Sequence, residues 1–336
     1  MIKRETMLNT PLTRRLCIAA ALAATAFSAS AQSYPSKILT MVVPYPAGGP
    51  SDFVARQVQQ ELAKKLGGQQ QIIVENIGGA GGAIGIQKVL TSSADGHTMV
   101  MASPMELVLA PLSMSAVKHK PEELKLAGVL VNTNLILLTR KDLAANTVDE
   151  LVAAARQPGA KQLSYGSVGP GSLYHLVGEV FAKQTALNML HVPYKGAAPM
   201  LTDLMGGQID MAFIALAGGV NGMIKEGKVK ALGIASQQPS PLFPNLPTLS
   251  ASKALDKFEF DLWAGLLVAK STPDAVMERL NKAVTEALQN PEVRKAYEST
   301  GSQVGKPMSV AELQQLYTAE IARYQAVAKS ANVQPQ

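Results

Sequence analysis

The stretch Thr40-Met-Val-Val-Pro-Tyr-Pro-Ala-Gly-Gly-Pro-Ser-Asp-Phe-Val-Ala-Arg56 decides how the rest of the 336-residue chain reads. Met41, Val42 and Val43 make the short apolar run of a buried strand. Pro44 and Pro46 end it, and Ala47-Gly48-Gly49-Pro50 turns the chain before Ser51 or Asp52 caps a helix. Val54, Val58, Leu62 and Leu66 then recur at helical spacing, a core-facing stripe that Gly67-Gly68 stops. Unpaired N–H groups and the positive end of the helix dipole point into the glycine loop, where a bare backbone can approach an anion closely. A lone loop of this kind needs glycine only in order to turn, so its recurrence along the chain carries the weight.

It recurs twice more. The strand Gln71–Glu75 feeds Asn76-Ile-Gly-Gly-Ala-Gly-Gly82 and a helix through Ile84, Val89 and Leu90. Later, Leu163-Ser-Tyr-Gly-Ser-Val-Gly-Pro-Gly-Ser172 leads into a helix that Ser172 caps and whose stripe is Leu173, Leu176, Val177 and Val180. Between them lie a strand over His97–Ala102, two separate apolar runs at Leu126–Val131 and Leu135–Leu138, and a helix after Thr147. Asn188–Tyr194 and Asp210–Ile214 read as further strands around a helix with Pro199 near its first position. Val229–Ala235 is another strand, the proline-rich 239–247 a surface connection, and Leu262–Ala269 a buried strand. The remainder is helical, with Ser309 and Glu312 set as a capping box. Alternating strands and helices predict a mostly parallel sheet covered on both faces.

Residues 1–31 read as a secretory signal: Lys3, Arg4, Arg14 and Arg15 precede the apolar Leu16–Ala29, and Ala29-Ser30-Ala31 is a small-x-small cleavage site. The paired arginines also allow twin-arginine export, with the general route favoured. Cleavage after Ala31 leaves 305 of the 336 residues and lowers the formal charge from +6 to +3, because Glu5 leaves with the four basic residues. Cys17 is the one cysteine in the sequence, so the exported chain has no disulfide, thiol chemistry or cysteine metal site and must be held by its core. A chain this long exceeds one comfortable core of about 250–300 residues, which predicts two lobes. No basic cluster interleaved with aromatics points to nucleic acid.

The succession PYPAGGPSDFVAR, ENIGGAGGAIG, ADGHT, YGSVGPGSLYHL and VPYKGAAPMLTDLMGGQID, with WAGLLVAKSTP later, resembles the substrate-binding proteins of tripartite tricarboxylate transporters, also called the Bug family, over essentially the whole exported chain. The resemblance implies a type II periplasmic binding-protein fold: an α/β protein of two lobes, with a hinge and a central ligand cleft. It implies lobe 1 from residues 32–140 and 257–336, and lobe 2 from 141–256. It also implies a periplasmic solute receptor, not an enzyme, that needs no cofactor. Such a receptor captures a small carboxylate (a mono- or dicarboxylate, an amino acid or an aromatic acid) and delivers it to membrane transporter subunits. A monomer is the expectation.

By resemblance, Pro46, Ala47, Gly48, Gly49, Ser51 and Asp52, with Gly81 and Gly82, form the ligand loops of the first lobe; Ser167, Gly171, Ser172 and His175 form those of the second. Asp52 equally suits capping, Ser167 and Ser172 equally suit turn and cap chemistry, and His175 equally suits packing. Asp210 could take a ligand hydroxyl or amine, or serve a turn. Where many relatives carry Asn-Pro, this chain has Ser103-Pro104-Met105-Glu106. A Glu106 facing the cleft would repel a second carboxylate and favour a ligand less anionic than citrate. Met99, Met101 and Met105 could instead line an apolar pocket for an aromatic acid, or belong to the core.

The alternative is an exported α/β hydrolase or oxidoreductase acting on a small anion. Gly79–Gly85 matches a dinucleotide fingerprint poorly, no nucleophile elbow is formed around Ser167, and His97, His119, His175 and His191 lack metal-ligand spacing.

Overall fold

The computed structural model describes residues 34–330. The predicted export signal therefore lies outside the described residues. Residues 37–336 cluster as one unit. In chain order the elements are β1 (Leu39–Val43), α1 (Pro50–Lys65), β2 (Ile72–Asn76), α2 (Ala83–Leu90) and β3 (Thr98–Ala102). A π-helical turn over Met105–Leu109 runs into α3 (Ala110–Ser113), followed by β4 (Leu124–Arg140), α4 (Val148–Ala155), β5 (Ser164–Ser167) and α5 (Leu173–Thr185). Then come β6 (Leu190–Pro193), α6 (Ala197–Met205), β7 (Met211–Ala215), α7 (Val220–Lys225) and β8 (Val229–Ile234). The chain closes with β9 (Asp261–Ala269), α8 (Asp274–Leu288), α9 (Pro291–Glu298), β10 (Gln303–Val304) and α10 (Val310–Ser330).

The fold is mixed α/β, with the strand order β2-β1-β3-β9-β4-β7-β5-β6 and with β8 and β10 also paired to β4. β1 runs parallel to β2 and β3, and β5 parallel to β6 and β7, while β9 and β4 are antiparallel to their neighbours. The two parallel halves thus lie on either side of the long β4. Its first part, Leu124–Asn134, pairs with β9; from Leu135 onward it pairs with β7 and β8. The chain returns at Phe260, whose carbonyl accepts from Leu135 N–H, before Asp261 opens β9 opposite Asn134.

The two apolar runs expected as separate elements are one strand. The polar break at Asn132-Thr133-Asn134 is where the strand passes from one set of partners to the other. Thr133 is buried and its hydroxyl bonds Ser302, so the buried polar side chain at the break has a partner.

The stripe on α1 packs as its spacing requires: Val54, Val58, Leu62 and Leu66 are all buried. Its cap, however, is Gly49, with Pro50 at the first position, and not Ser51 or Asp52. Ser172 does cap α5, accepting from His175 N–H, and Ser309 and Glu312 form the reciprocal box ahead of α10. Pro199 falls inside the first turn of α6, which Gly196 caps. No helix of the described residues is long and apolar enough to cross a membrane.

Candidate functional site

Three βα turns bring helix starts to the carboxyl ends of β1, β5 and β6. There a narrow cavity of about 20 Å³, room for about one water molecule, lies between the two halves of the sheet. One wall is Tyr45, Pro46, Gly49, Pro50 and Ser51 with Met105; the other is Val168, Tyr174 and Ala197. Gly49 to Ser51 begin α1, Tyr174 lies in the first turn of α5, and Ala197 begins α6. The first helical bond of α1 is Phe53 N–H to Gly49 C=O, so the N–H groups of Ser51 and Asp52 precede it. Likewise Leu176 N–H to Ser172 C=O is the first in α5, ahead of which stand those of Leu173 and Tyr174. Three positive dipole ends converge on one small space, and no Lys, Arg or His side chain lines it.

The loops are held from behind. The Asp52 carboxylate accepts from Gly48 N–H at 3.0 Å and from Arg56 Nε at 2.9 Å. Burial would raise its pKa, but these donors outweigh burial and hold it below the usual range. Asp52 is therefore a brace for the glycine loop.

On the other side His175 Nδ1 accepts from Gly171 N–H at 2.9 Å, and Ser167 Oγ meets His191 Nε2 at 2.7 Å. The two imidazoles stack at 4.0 Å, and Tyr165 stacks on His191. Burial lowers both histidines, His191 to about 4, with the neighbouring His175 adding to the effect. A neutral His175 can accept from Gly171, whereas a proton at Nδ1 would remove that acceptor. His175 and His191 thus position the loop, and neither lines the cavity.

The halves meet where glycine leaves room. A Cβ on Gly196 would stand 2.7 Å from Pro46 Cδ, one on Gly218 3.3 Å from Phe53 Cβ, and one on Gly171 1.7 Å from Ser113 Cβ. Ser113 and Gly218 lie outside the quoted motifs and Phe53 stands inside one as an apolar residue, which is why sequence reasoning passed over them. Tyr45, Val168, Tyr174 and Ala197 stand inside the quoted motifs but were not singled out, because no polar or glycine chemistry marks them there.

Several expected residues lie elsewhere. Glu106 does not face an open cleft: it is 1% exposed, accepting from Ser103 N–H at 2.5 Å, Ser103 Oγ at 2.9 Å and Tyr45 hydroxyl at 3.0 Å. Burial pushes its carboxyl up to about 7 against those hydrogen bonds. Ser103 is consequently turned toward Glu106. Gly82 packs on Glu106 and Pro44, and Gly81 on Ala110 and Met114, because at positive φ each brings its backbone flush against these neighbours. Asp210 sits at the amino end of β7, away from the helix starts, taking hydrogen bonds from Arg140 Nε at 2.9 Å and from both Ser164 N–H and Oγ at 2.8 Å. Ser167 is fully buried in its own turn, bridging Gly169 and His191. Met99 and Met101 belong to the core, and of the three methionines Met105 lines the cavity. Among the described residues no group of three or more His, Cys, Asp or Glu could hold a metal ion.

Comparison with known proteins gives the family and the fold. Residues 54–333 match the model of the tripartite tricarboxylate transporter family receptor. The chain is 33% identical over 297 residues to Protein BugT of Bordetella pertussis, covering 87% of this chain and 89% of that one. The periplasmic binding protein BugD superimposes with a TM-score of 0.83 at 30% identity, covering 90% of this chain and 100% of that one. MatC from Rhodopseudomonas palustris, solved with bound malate, gives 0.81 at 30% identity over 88% of this chain and 99% of that one. A second protein of R. palustris, solved with adipate, gives 0.83 at 28% identity over 90% of this chain and 100% of that one.

Proposed function

The chain belongs to the tripartite tricarboxylate transporter family of receptors, and from that premise we propose that the cavity between α1, α5 and α6 captures a small carboxylate. The observation that carries this is the convergence of three helix starts on a space lined by no cationic side chain. Backbone donors would hold the anion directly or through ordered water, and little solvent would reorganise on binding. Malate in MatC and adipate in the second R. palustris protein support the ligand class.

The receptor would act in the periplasm after loss of residues 1–31, deliver its ligand to membrane transporter subunits, and work as a monomer. Its moving bodies would be residues 37–134 with 261–330, and residues 135–260. These limits follow the strand crossings at Asn134/Leu135 and Phe260/Asp261 instead of the breaks expected at 140/141 and 256/257. Pro46 against Gly196, Phe53 against Gly218 and Ser113 against Gly171 would be the contacts that open when ligand leaves. The protein is a receptor and not an enzyme, in keeping with its family and with its structural neighbours.

The test is thermal melting of the purified protein, refolded to strip carried-over ligand, against mono-, di- and tricarboxylates, amino acids and aromatic acids. A ligand that binds only the folded state adds about 2.7 kcal/mol at 100 times its dissociation constant. For a chain of this size that is a rise of several degrees. No shift with any carboxylate would overturn the reading.

A further inference from the structure

Resting on that receptor reading, we infer that the preferred ligand carries one carboxylate on an uncharged, apolar body, aromatic or branched aliphatic, and that Glu106 sets this preference against polyanions.

The first ground is the number of anion positions. A Cβ on Gly49 would lie only 3.7 Å from Ala197 Cβ, so the starts of α1 and α6 are nearly in contact and serve a single point. Tyr174, in the first turn of α5, borders the same small cavity. The three helix starts surround one anionic group.

The second ground is what remains of the wall. Beyond the helix starts and Ser51 it is carbon: Pro46, Met105, Val168 and the rings of Tyr45 and Tyr174. Both phenol oxygens are engaged away from the ligand. Tyr45 donates to Glu106, and Tyr174 accepts from Ala215 N–H at 3.2 Å. A hydroxyl-rich or charged ligand body would lose its water there for few partners beyond Ser51 and the Tyr174 hydroxyl proton, whereas an apolar body admitted as the halves part leaves water at a gain.

The third ground is the charge behind the wall. Glu106 follows Met105 in the chain and holds the Tyr45 hydroxyl, placing an acid one side chain behind the cavity lining. It is fully buried, with Ser103 and Tyr45 as its hydrogen-bond donors. A second ligand carboxylate brought into this poorly solvated region is repelled, or forces a proton onto Glu106. The first carboxylate escapes that cost because the helix starts neutralise it.

The experiment is calorimetric titration of the refolded protein at pH 7.5 with benzoate, cyclohexanecarboxylate and 3-methylbutanoate, and in parallel with malate, adipate and citrate. The tightest monocarboxylate should bind at least tenfold more tightly than any of the three polyacids. Malate or citrate binding tightest overturns the inference while leaving the receptor reading intact; binding by none of the six, nor by any acid in the melting panel, overturns both. Two variants locate the cause. Val168→Thr keeps shape but sets a hydroxyl against the ligand body, and should weaken the best monocarboxylate about tenfold with little change for malate. Glu106→Gln should narrow the gap between malate and that monocarboxylate at least fivefold. Equal effects on both ligands in either variant refute the role given to that residue.

Discussion

Replacing Glu106 with Gln removes a titrating group from the interior and leaves its volume in place, so its effect on stability is confined to pH. The unfolded chain releases this proton near the ordinary carboxyl value of 4.5, whereas the folded protein holds it to about 7. Between these values the folded state carries the extra proton, and stability falls as pH rises through the window. At about 1.4 kcal/mol for each pH unit separating the two values, the loss amounts to about 3 kcal/mol by pH 8. The group is 1% exposed, so solvent screening takes little from that figure. Glu106→Gln abolishes it. At pH 5 the variant and the native protein should differ by only about 1 kcal/mol, the worth of one exchanged hydrogen bond. At pH 8 the variant should gain about 2.5 kcal/mol relative to its standing at pH 5, since part of the loss has already occurred by pH 5. Urea unfolding followed by fluorescence of Trp263, the one tryptophan in the sequence, reads both conditions directly. Parallel stability profiles of native and variant protein from pH 5 to pH 8 would refute the buried-acid reasoning.

Gly171→Ala adds a methyl that would stand 1.7 Å from Ser113 Cβ, at a φ of +71°. It should cost about 1 kcal/mol in unfolding yet lower ligand affinity by more than tenfold, since the clash forms only when the lobes close; calorimetry beside urea melts separates the two. Asp210→Ala should lose about 2–3 kcal/mol of stability, less than for a fully buried pair because Arg140 reaches solvent. Its folded fraction should still bind ligand with unchanged affinity, since the Arg140–Asp210–Ser164 cluster lies at the far end of β7. His191 is neutral in the fold down to about 4, against an ordinary value of 6.5. Between these values the unfolded chain holds more protons, so its contribution is complete above 6.5 and is lost as pH falls toward 4. His191→Asn should flatten that acid limb, which a pH series of melting temperatures would measure.

The parts of the fold legible in sequence were those fixed by local chemistry. Val54, Val58, Leu62 and Leu66 announce their helix by spacing, Ser172 its cap, and Ser309 with Glu312 a reciprocal box, because each depends on neighbours within one or two turns. The cavity wall was legible in part as loops, for the same reason: Pro46, Gly49 and Ser51 stand in a motif. What the sequence concealed depends on distant partners. β4 reads as two apolar runs, with the polar Asn132-Thr133-Asn134 between them, yet Thr133 finds Ser302 across the sheet, 169 residues on. Asp210 looks like a ligand group until Arg140 and Ser164 claim it. Glu106 looks like a cleft residue until Tyr45 and Ser103 turn it inward, and His175 until Gly171 occupies its Nδ1.

The most direct test of the central claim is an experimental structure of the protein with its best-binding acid. The account requires a carboxylate in the cavity between Tyr45, Met105 and Val168, its oxygens about 3 Å from first-turn N–H groups of α1, α5 or α6 or from waters bound to them. A carboxylate seated on a Lys or Arg side chain, or outside this cavity, would contradict it.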